Sequence, residues 1–331
     1  MERSLSFENP KPFSALMSHW LYGHGGYYTR ARVGRGGDFY TAVSASAFFG
    51  GTLAFYLLDL LEKGQLTLPL SVVEIGAHGG QLLGDVLSFL RALSSGVLEQ
   101  VRWITLEPLA HLRALQQAYL AQRGITLQCI SRPLELPTDT NLFVYCNELW
   151  DSFPCEVVQG GKMLYIARDF TPLWRDTSLL EGCAPLWQEY TKDLTQALKR
   201  APKWILVSFD YGQYGKLDRV DLRAYWQHRV LDFTDILEHL ATLYQRTDLT
   251  YDVDFKHLEC LLSQQGACSL FYGTQAKALV NMGLLQLLEL FKTHMPFNIY
   301  QREALKARAL VDPSAFGERF KALIVASFAP G

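Results

Sequence analysis

The segment Glu74-Ile75-Gly76-Ala77-His78-Gly79-Gly80 combines a carboxylate with a glycine turn. Glycines permit a tight bend and let backbone N–H groups approach a ligand at the start of a following helix. Further on, Glu107 closes the apolar run 101–106, where an acidic side chain can accept hydrogen bonds from both hydroxyls of a ribose. Together, turn and carboxylate point to a nucleoside. A nicotinamide site would need glycines at 76, 78 and 81, but the chain has Gly76, His78 and Gln81, so a pyrophosphate cradle is disfavoured.

The remaining nucleoside ligand is S-adenosylmethionine, whose positive sulfonium suits an acidic strand end such as Glu74. A third segment, Asn147-Glu148-Leu149-Trp150-Asp151-Ser152-Phe153-Pro154, supplies an amide, two carboxylates and an aromatic ring, and is where a methyl acceptor would sit. Asn147 reads equally well as a ligand or as the cap of a helix. Glu148 and Asp151, three apart, would share one face of a helical turn. An acceptor that carries positive charge would require carboxylates that orient it and offset that charge. Glu148 and Asp151 are the catalytic candidates, with Asp38 third; no metal is required. His78 reads as either a packing residue or a cofactor neighbour. His228 beside Arg229 reads as a salt-bridged loop or a groove lining, and Tyr27 and Tyr28 read as core aromatics, with stacking on a ligand left open by their Gly-rich context.

These residues need a parallel sheet to bring them to one crevice, because ligands in such sheets bind beyond the carboxyl ends of the strands. Short β-branched runs predict strands at 71–75, 101–106, 125–130, 142–146 and 204–209, with a late strand at 320–327. After the glycine turn, Leu82, Leu83, Val86, Leu87, Leu90 and Leu93 recur at helical spacing. Residues 156–159 and 162–166 flank Gly160-Gly161 as a hairpin. Residues 14–22 and 48–61 read as helices around a Gly-rich segment, and 213–267 as a polar insertion. The expected organisation is an N-terminal helical extension at 1–62 and one domain at 63–331 that carries the insertion.

Composition agrees with a globular protein: 49% hydrophobic, 19% charged, and 31 basic against 33 acidic residues, for a net charge of −2. That balance provides no field for nucleic acid or anionic lipid. The apolar run 48–61 carries Asp59 and falls short of the roughly 20 residues of a membrane span, so no membrane insertion is expected. The first fifteen residues match neither a signal nor a transit peptide, which predicts a cytoplasmic protein. The six cysteines form no Cys-x-x-Cys pair and read as buried thiols.

The order and spacing of the motifs resemble the MidA-type family of S-adenosylmethionine-dependent methyltransferases, whose mitochondrial branch comprises complex I assembly-factor arginine methyltransferases. The resemblance rests on Gly26-Tyr27-Tyr28-Thr29, Gly37-Asp38-Phe39, Phe48-Phe49-Gly50, Glu74-Ile75-Gly76, Glu107-Pro108 and the segment 147–154. It continues through Asp210-Tyr211-Gly212, Arg223-Ala224-Tyr225, Asp252-Val253-Asp254-Phe255, Gly273-Thr274-Gln275 and Phe316-Gly317-Glu318-Arg319-Phe320-Lys321. It implies an α/β, class I methyltransferase-like (Rossmann-like) fold, with a mostly parallel sheet and helices on both faces. It also implies S-adenosyl-L-methionine binding around Glu74, Gly76, Gly80, Glu107 and Asn147, and a protein-arginine acceptor in a respiratory complex I-type subunit.

Two positions depart from the family pattern. His78 stands where a second glycine is usual, which is strained if that backbone needs φ > 0 unless Gly79 takes up the turn. Ala42-Val43-Ser44 replaces the usual Ser-Pro-Glu, removing a carboxylate. These departures keep open a second reading, a methyltransferase-like assembly factor that acts by binding a partner protein.

Overall fold

Strand β1 (Leu70–Ile75) is buried at every position, Ser71 and Glu74 included, as expected of a strand flanked on both edges and covered on both faces. It pairs in parallel with β2 (Val101–Leu106) on one side and β4 (Asn141–Asn147) on the other. Beyond β2 lies β3 (Leu127–Ile130), and beyond β4 lies β5 (Trp204–Gln213), both again parallel. The order is completed by β7 (Phe320–Ala326), antiparallel to β5, and by β6 (Cys268–Thr274), antiparallel to β7. The sheet therefore runs β6-β7-β5-β4-β1-β2-β3. This computed structural model describes residues 9–30, 42–226 and 229–329, and the chain divides into two compact units.

The larger unit takes its described residues from 42–149, 190–211 and 259–329, and contains the mainly parallel sheet. Its core joins the sheet residues Val72, Phe143, Tyr145, Ile205 and Phe209 to helices α1 (Phe48–Glu62) and α2 (Gln81–Leu93). The α2 leucines at helical spacing are buried as expected, except Leu93, which is half-buried. Helices α1 and α2 approach so closely that a Cβ on Gly50 would lie 2.7 Å from the Asp85 Cβ and 3.0 Å from the Val86 nitrogen. Only glycine fits there.

The smaller unit takes its described residues from 9–30, 150–189 and 212–258, apart from 227–228. Helix Phe13–Tyr22 turns Phe13, Leu16, Met17, Trp20 and Leu21 inward. The hairpin expected around Gly160-Gly161 forms between Cys155–Gln159 and Lys162–Ile166. Both glycines have positive φ, +58° and +70°, as a tight two-residue hairpin turn requires. Residues 213–258 of the expected insertion include a small sheet of Arg223–Trp226, Arg229–Leu231 and Asp248–Thr250.

Two sheet features differ from the sequence expectation. Strand β5 continues past Phe209 because the polar Asp210, which reads as a strand end, is fully buried and bonded to backbone amides. Strand β6 is the sheet's edge, and its half-buried residues show no clean alternation of apolar and polar side chains.

Candidate active site

The turn from β1 into α2 takes the shape that its glycines allow. Gly76 has φ +70° and donates its N–H to the Leu106 carbonyl at 3.0 Å. A Cβ there would be 3.1 Å from Leu149 Cδ1, so both backbone and space favour glycine. Gly80, φ +85°, stands just before α2. His78 itself adopts φ +43°, so the strain expected of a non-glycine residue falls on His78 and is not taken up by Gly79. Its ring nitrogen Nε2 is buried without a hydrogen-bond partner. Burial, with a smaller contribution from His111, lowers the His78 pKa, so the ring is neutral at pH 7.

Glu74 is buried near the end of β1. Tyr145 Oη donates to its Oε2 at 3.4 Å, and the Leu83 backbone amide of α2 also stabilises the carboxylate. Burial nevertheless pushes its pKa up to about 8. Glu74 thus supports the first turn of α2, and burial disfavours the charge that attraction to a sulfonium would use.

Glu107 follows β2 and is only 4% exposed. Its N–H donates to the Ile130 carbonyl at 2.9 Å, and its Oε1 accepts from the Leu109 N–H at 2.9 Å. Arg113 donates to the carbonyls of Glu107 and Pro108 at 2.8 and 2.7 Å. Burial raises the carboxyl to about 7, opposed by the Leu109 amide, Arg113 and Gln116.

At the end of β4, Glu148 has φ +51°, a left-handed backbone that costs a non-glycine residue about 1–2 kcal/mol. Several bonds hold it there. Its N–H donates to the Phe209 carbonyl at 2.9 Å, Asn147 Nδ2 donates to Oε1 at 2.9 Å, and Tyr211 Oη donates to Oε2 at 2.7 Å. Asp210 accepts from the amides of Leu149 at 3.1 Å and Tyr211 at 2.9 Å, which ties the end of β5 to the residue after Glu148. Strain held in place by surrounding bonds is typical of functional positions. Asn147 caps no helix; it orients Glu148, and its own Oδ1 is buried without a partner.

Glu148 and Asp151 do not share a helical turn, because the short 3₁₀ helix begins only at Trp150 and Glu148 is left-handed. Asp151 belongs to the smaller unit, where its Oδ2 accepts from Thr250 Oγ1 at 2.7 Å. It is 6% exposed, and burial raises its pKa to about 6, opposed by Thr250 and Arg223. Arg223 in turn donates to Asp252 Oδ1 at 2.7 Å. Tyr28 stacks on Tyr22 and donates to Asp248 Oδ2 at 3.1 Å, a packing arrangement. Ser44 lies in the short helix Ala42–Ala45. Asp38 and His228 lie outside the described residues.

Sequence reasoning assigned no role to Tyr211 or Asp210, although Asp210-Tyr211-Gly212 stood among the family motifs. The available signal was a polar-aromatic pair at the end of a parallel strand. Within the larger unit, Gly76, Gly80, Glu107 and Asn147 lie at the ends of adjacent strands or in the turn that follows. A carboxylate for ribose hydroxyls and the unpartnered buried atoms His78 Nε2 and Asn147 Oδ1, beside a turn shaped by glycines, form a polar set that fits a nucleoside.

The comparisons with known proteins agree. Residues 52–184, which include the glycine turn, Glu107 and Glu148, match the family model described as "Putative S-adenosyl-L-methionine-dependent methyltransferase". The chain resembles this methyltransferase family over that stretch. It is 26% identical to the Bos taurus "Protein arginine methyltransferase NDUFAF7, mitochondrial" over 90% of this chain and 76% of that protein. The fold is similar to that of a "likely methyl transferase" from Burkholderia thailandensis, solved bound to S-adenosyl-homocysteine. That structure has a TM-score of 0.78 at 22% identity, over 96% of this chain and 88% of the other. A native structure from the same organism gives a TM-score of 0.74 at 21% identity, over 96% and 87%. The methyltransferase assignment makes S-adenosyl-L-methionine the cofactor. Among the described residues, no helix is long and apolar enough to cross a membrane. The bovine relative is a mitochondrial protein, so the cytoplasmic expectation finds no support there.

Proposed function

We propose that this methyltransferase acts on a side-chain nitrogen of a protein, specifically arginine, and that the acceptor is a subunit of a respiratory complex I-type assembly. The observation that carries the arginine reading is the Glu148 carboxylate, held at a strained φ of +51° by Tyr211 and Asn147 at the end of β4. The name of the bovine relative supports the acceptor type, and the family resemblance supports the complex I connection.

Gly76 and Gly80 would shape the turn that lies against the cofactor, which Glu107 would hold with its carboxylate and Asn147 with its unpartnered oxygen. When bound, the cofactor supplies an electrophilic methyl group on a positively charged sulfonium. Glu148 supplies what a guanidinium lacks in water: a fixed carboxylate that turns one nitrogen toward that methyl group and offsets the acceptor's charge. Tyr211 donates to Oε2 and the neutral Asn147 amide to Oε1, and this carboxylate is the group to receive the acceptor N–H and later its proton. Asp151, the other carboxylate expected from the sequence, accepts from Thr250 within the smaller unit.

The test is transfer of labelled methyl groups to arginine-containing proteins by the wild-type chain, Glu148→Gln and Tyr211→Phe. Losing a hydrogen bond to a charged group costs about 1.5–3 kcal/mol, so Tyr211→Phe should slow transfer at least about tenfold while leaving adenosyl binding intact. Label on lysine alone, or undiminished transfer in Glu148→Gln, would overturn the arginine assignment. A second reading, a partner-binding assembly factor, is favoured by the left-handed, inward-facing His78, which departs from the glycine of the family pattern.

A further inference from the structure

Strand β5 carries a carboxylate, Asp210, that is 0% exposed. It comes just after the last pairing of β5 with β4, in which Phe209 stands opposite Asn147. The Glu148 N–H still finds a main-chain acceptor there, the Phe209 carbonyl at 2.9 Å. The next amide, that of Leu149, donates to the Asp210 side chain, at 3.1 Å from Oδ2. The other oxygen, Oδ1, accepts from the Tyr211 N–H at 2.9 Å. One side chain therefore holds both the residue that follows Glu148 and the residue whose hydroxyl donates to Glu148 Oε2 at 2.7 Å. The Tyr211 ring packs on Phe320 of β7 with centroids 4.4 Å apart, so Asp210 fixes the backbone of Tyr211 and Phe320 its ring. Burying a carboxylate is costly unless it accepts hydrogen bonds, a cost that an apolar residue at this position would avoid.

We propose that Asp210 is a positioning residue for methyl transfer: by gathering the amides of Leu149 and Tyr211, it holds Glu148 in its left-handed conformation and brings the Tyr211 hydroxyl to that carboxylate. The inference rests on the reading of Glu148 as the group that receives the acceptor, and adds a residue that acts through Glu148. A left-handed backbone is unfavourable for a residue with a Cβ, so the Glu148 peptide must be tied on both sides. Its own N–H bond to Phe209 ties one side, and the Leu149 bond to Asp210 ties the other. Two amides need two acceptor oxygens. A carboxylate offers both, whereas asparagine offers one and sets its NH2 group against the second amide.

The experiment measures the initial rate of labelled methyl transfer to arginine-containing proteins at saturating S-adenosyl-L-methionine. It compares the full wild-type chain with Asp210→Asn, Tyr211→Phe and the double variant. Asp210→Asn should transfer about tenfold more slowly, the factor that loss of one buried hydrogen bond implies. Its affinity for S-adenosylhomocysteine, read by calorimetry, should stay within about threefold of wild type. Because both residues act through Glu148, the double variant should be about as slow as the slower single variant, whereas independent effects would multiply.

A general role in supporting the sheet predicts losses that multiply in the double variant and adenosyl binding that falls together with transfer. Either result, or undiminished transfer by Asp210→Asn, would overturn the proposal. If the wild-type chain transfers no label to arginine, the arginine reading fails. The clamp is then judged by hydrogen exchange: in Asp210→Asn the amides of Leu149 and Tyr211 should quicken while those of Val72 and Val73 in β1 stay protected, and unchanged exchange would overturn it. If Asp210→Asn does not fold, exchange in the wild-type chain decides. A Leu149 amide as protected as the ladder amide of Glu148 supports the clamp, and a rapidly exchanging one overturns it.

Discussion

Replacing Glu107 with glutamine should make the ligand-free protein more stable and its adenosyl site weaker. The carboxyl titrates near 7 in the folded chain, against an ordinary 4.5, mainly because folding buries it. Between these values the folded state retains a proton that the unfolded chain has released. Stability therefore falls as pH rises through that window, and the loss is complete above about pH 7. At 1.36 kcal/mol per pK unit, the penalty is about 3 kcal/mol. Glutamine removes the titration and keeps an oxygen for the Leu109 amide, whose bond to Glu107 is 2.9 Å. Glu107→Gln should thus gain about 2–3 kcal/mol over wild type at pH 8 and little at pH 4.5, read by urea unfolding at the two pH values. Ribose hydroxyls bond a charged carboxylate more strongly than a neutral amide, so S-adenosylhomocysteine should bind about tenfold to a hundredfold more weakly at pH 8. Equal gains at both pH values would refute burial as the source of the shift. Undiminished affinity would refute Glu107 as the ribose ligand.

His78→Gly should relieve the left-handed strain at φ +43° and, by thermal melting in the absence of ligand, leave the fold at least as stable. It should also retain adenosyl binding; a variant that binds S-adenosylhomocysteine when the wild type does not would favour the partner-binding reading. Gly50→Val would push a side chain into Asp85 and Val86, where a Cβ alone already reaches 2.7 Å. Overpacking of this kind should cost about 1–3 kcal/mol or more, measured as a lower urea midpoint at unchanged slope.

Much of the positioning framework was legible because it depends on local rules. The β1–α2 unit could be read from a β-branched run, a glycine turn and leucines at helical spacing. Gly160-Gly161 signalled its hairpin because few other residues tolerate two successive positive φ values. Edge strand β6 was not legible, since half-buried positions impose little alternation. The shared helical face expected of Glu148 and Asp151 failed for a related reason. Spacing of three implies a shared face only within a helix, and the left-handed backbone of Glu148 interrupts any helix before Trp150.

Residue types by themselves pointed to the ligand class: glycines at 76 and 80, an acid at 107, and no glycine at 81 to complete a pyrophosphate cradle. These constraints act through backbone freedom and charge, properties that a residue carries wherever it stands. Tertiary structure decided which groups are charged and which hold one another. Glu74 is raised to about 8 and Glu107 to about 7 because the fold buries them. Tyr211 reaches Glu148 across 63 positions of sequence, and Gln116 reaches His78 across 38. Desolvation and long-range hydrogen bonds depend on how strands and helices pack, and no local pattern of residues encodes them.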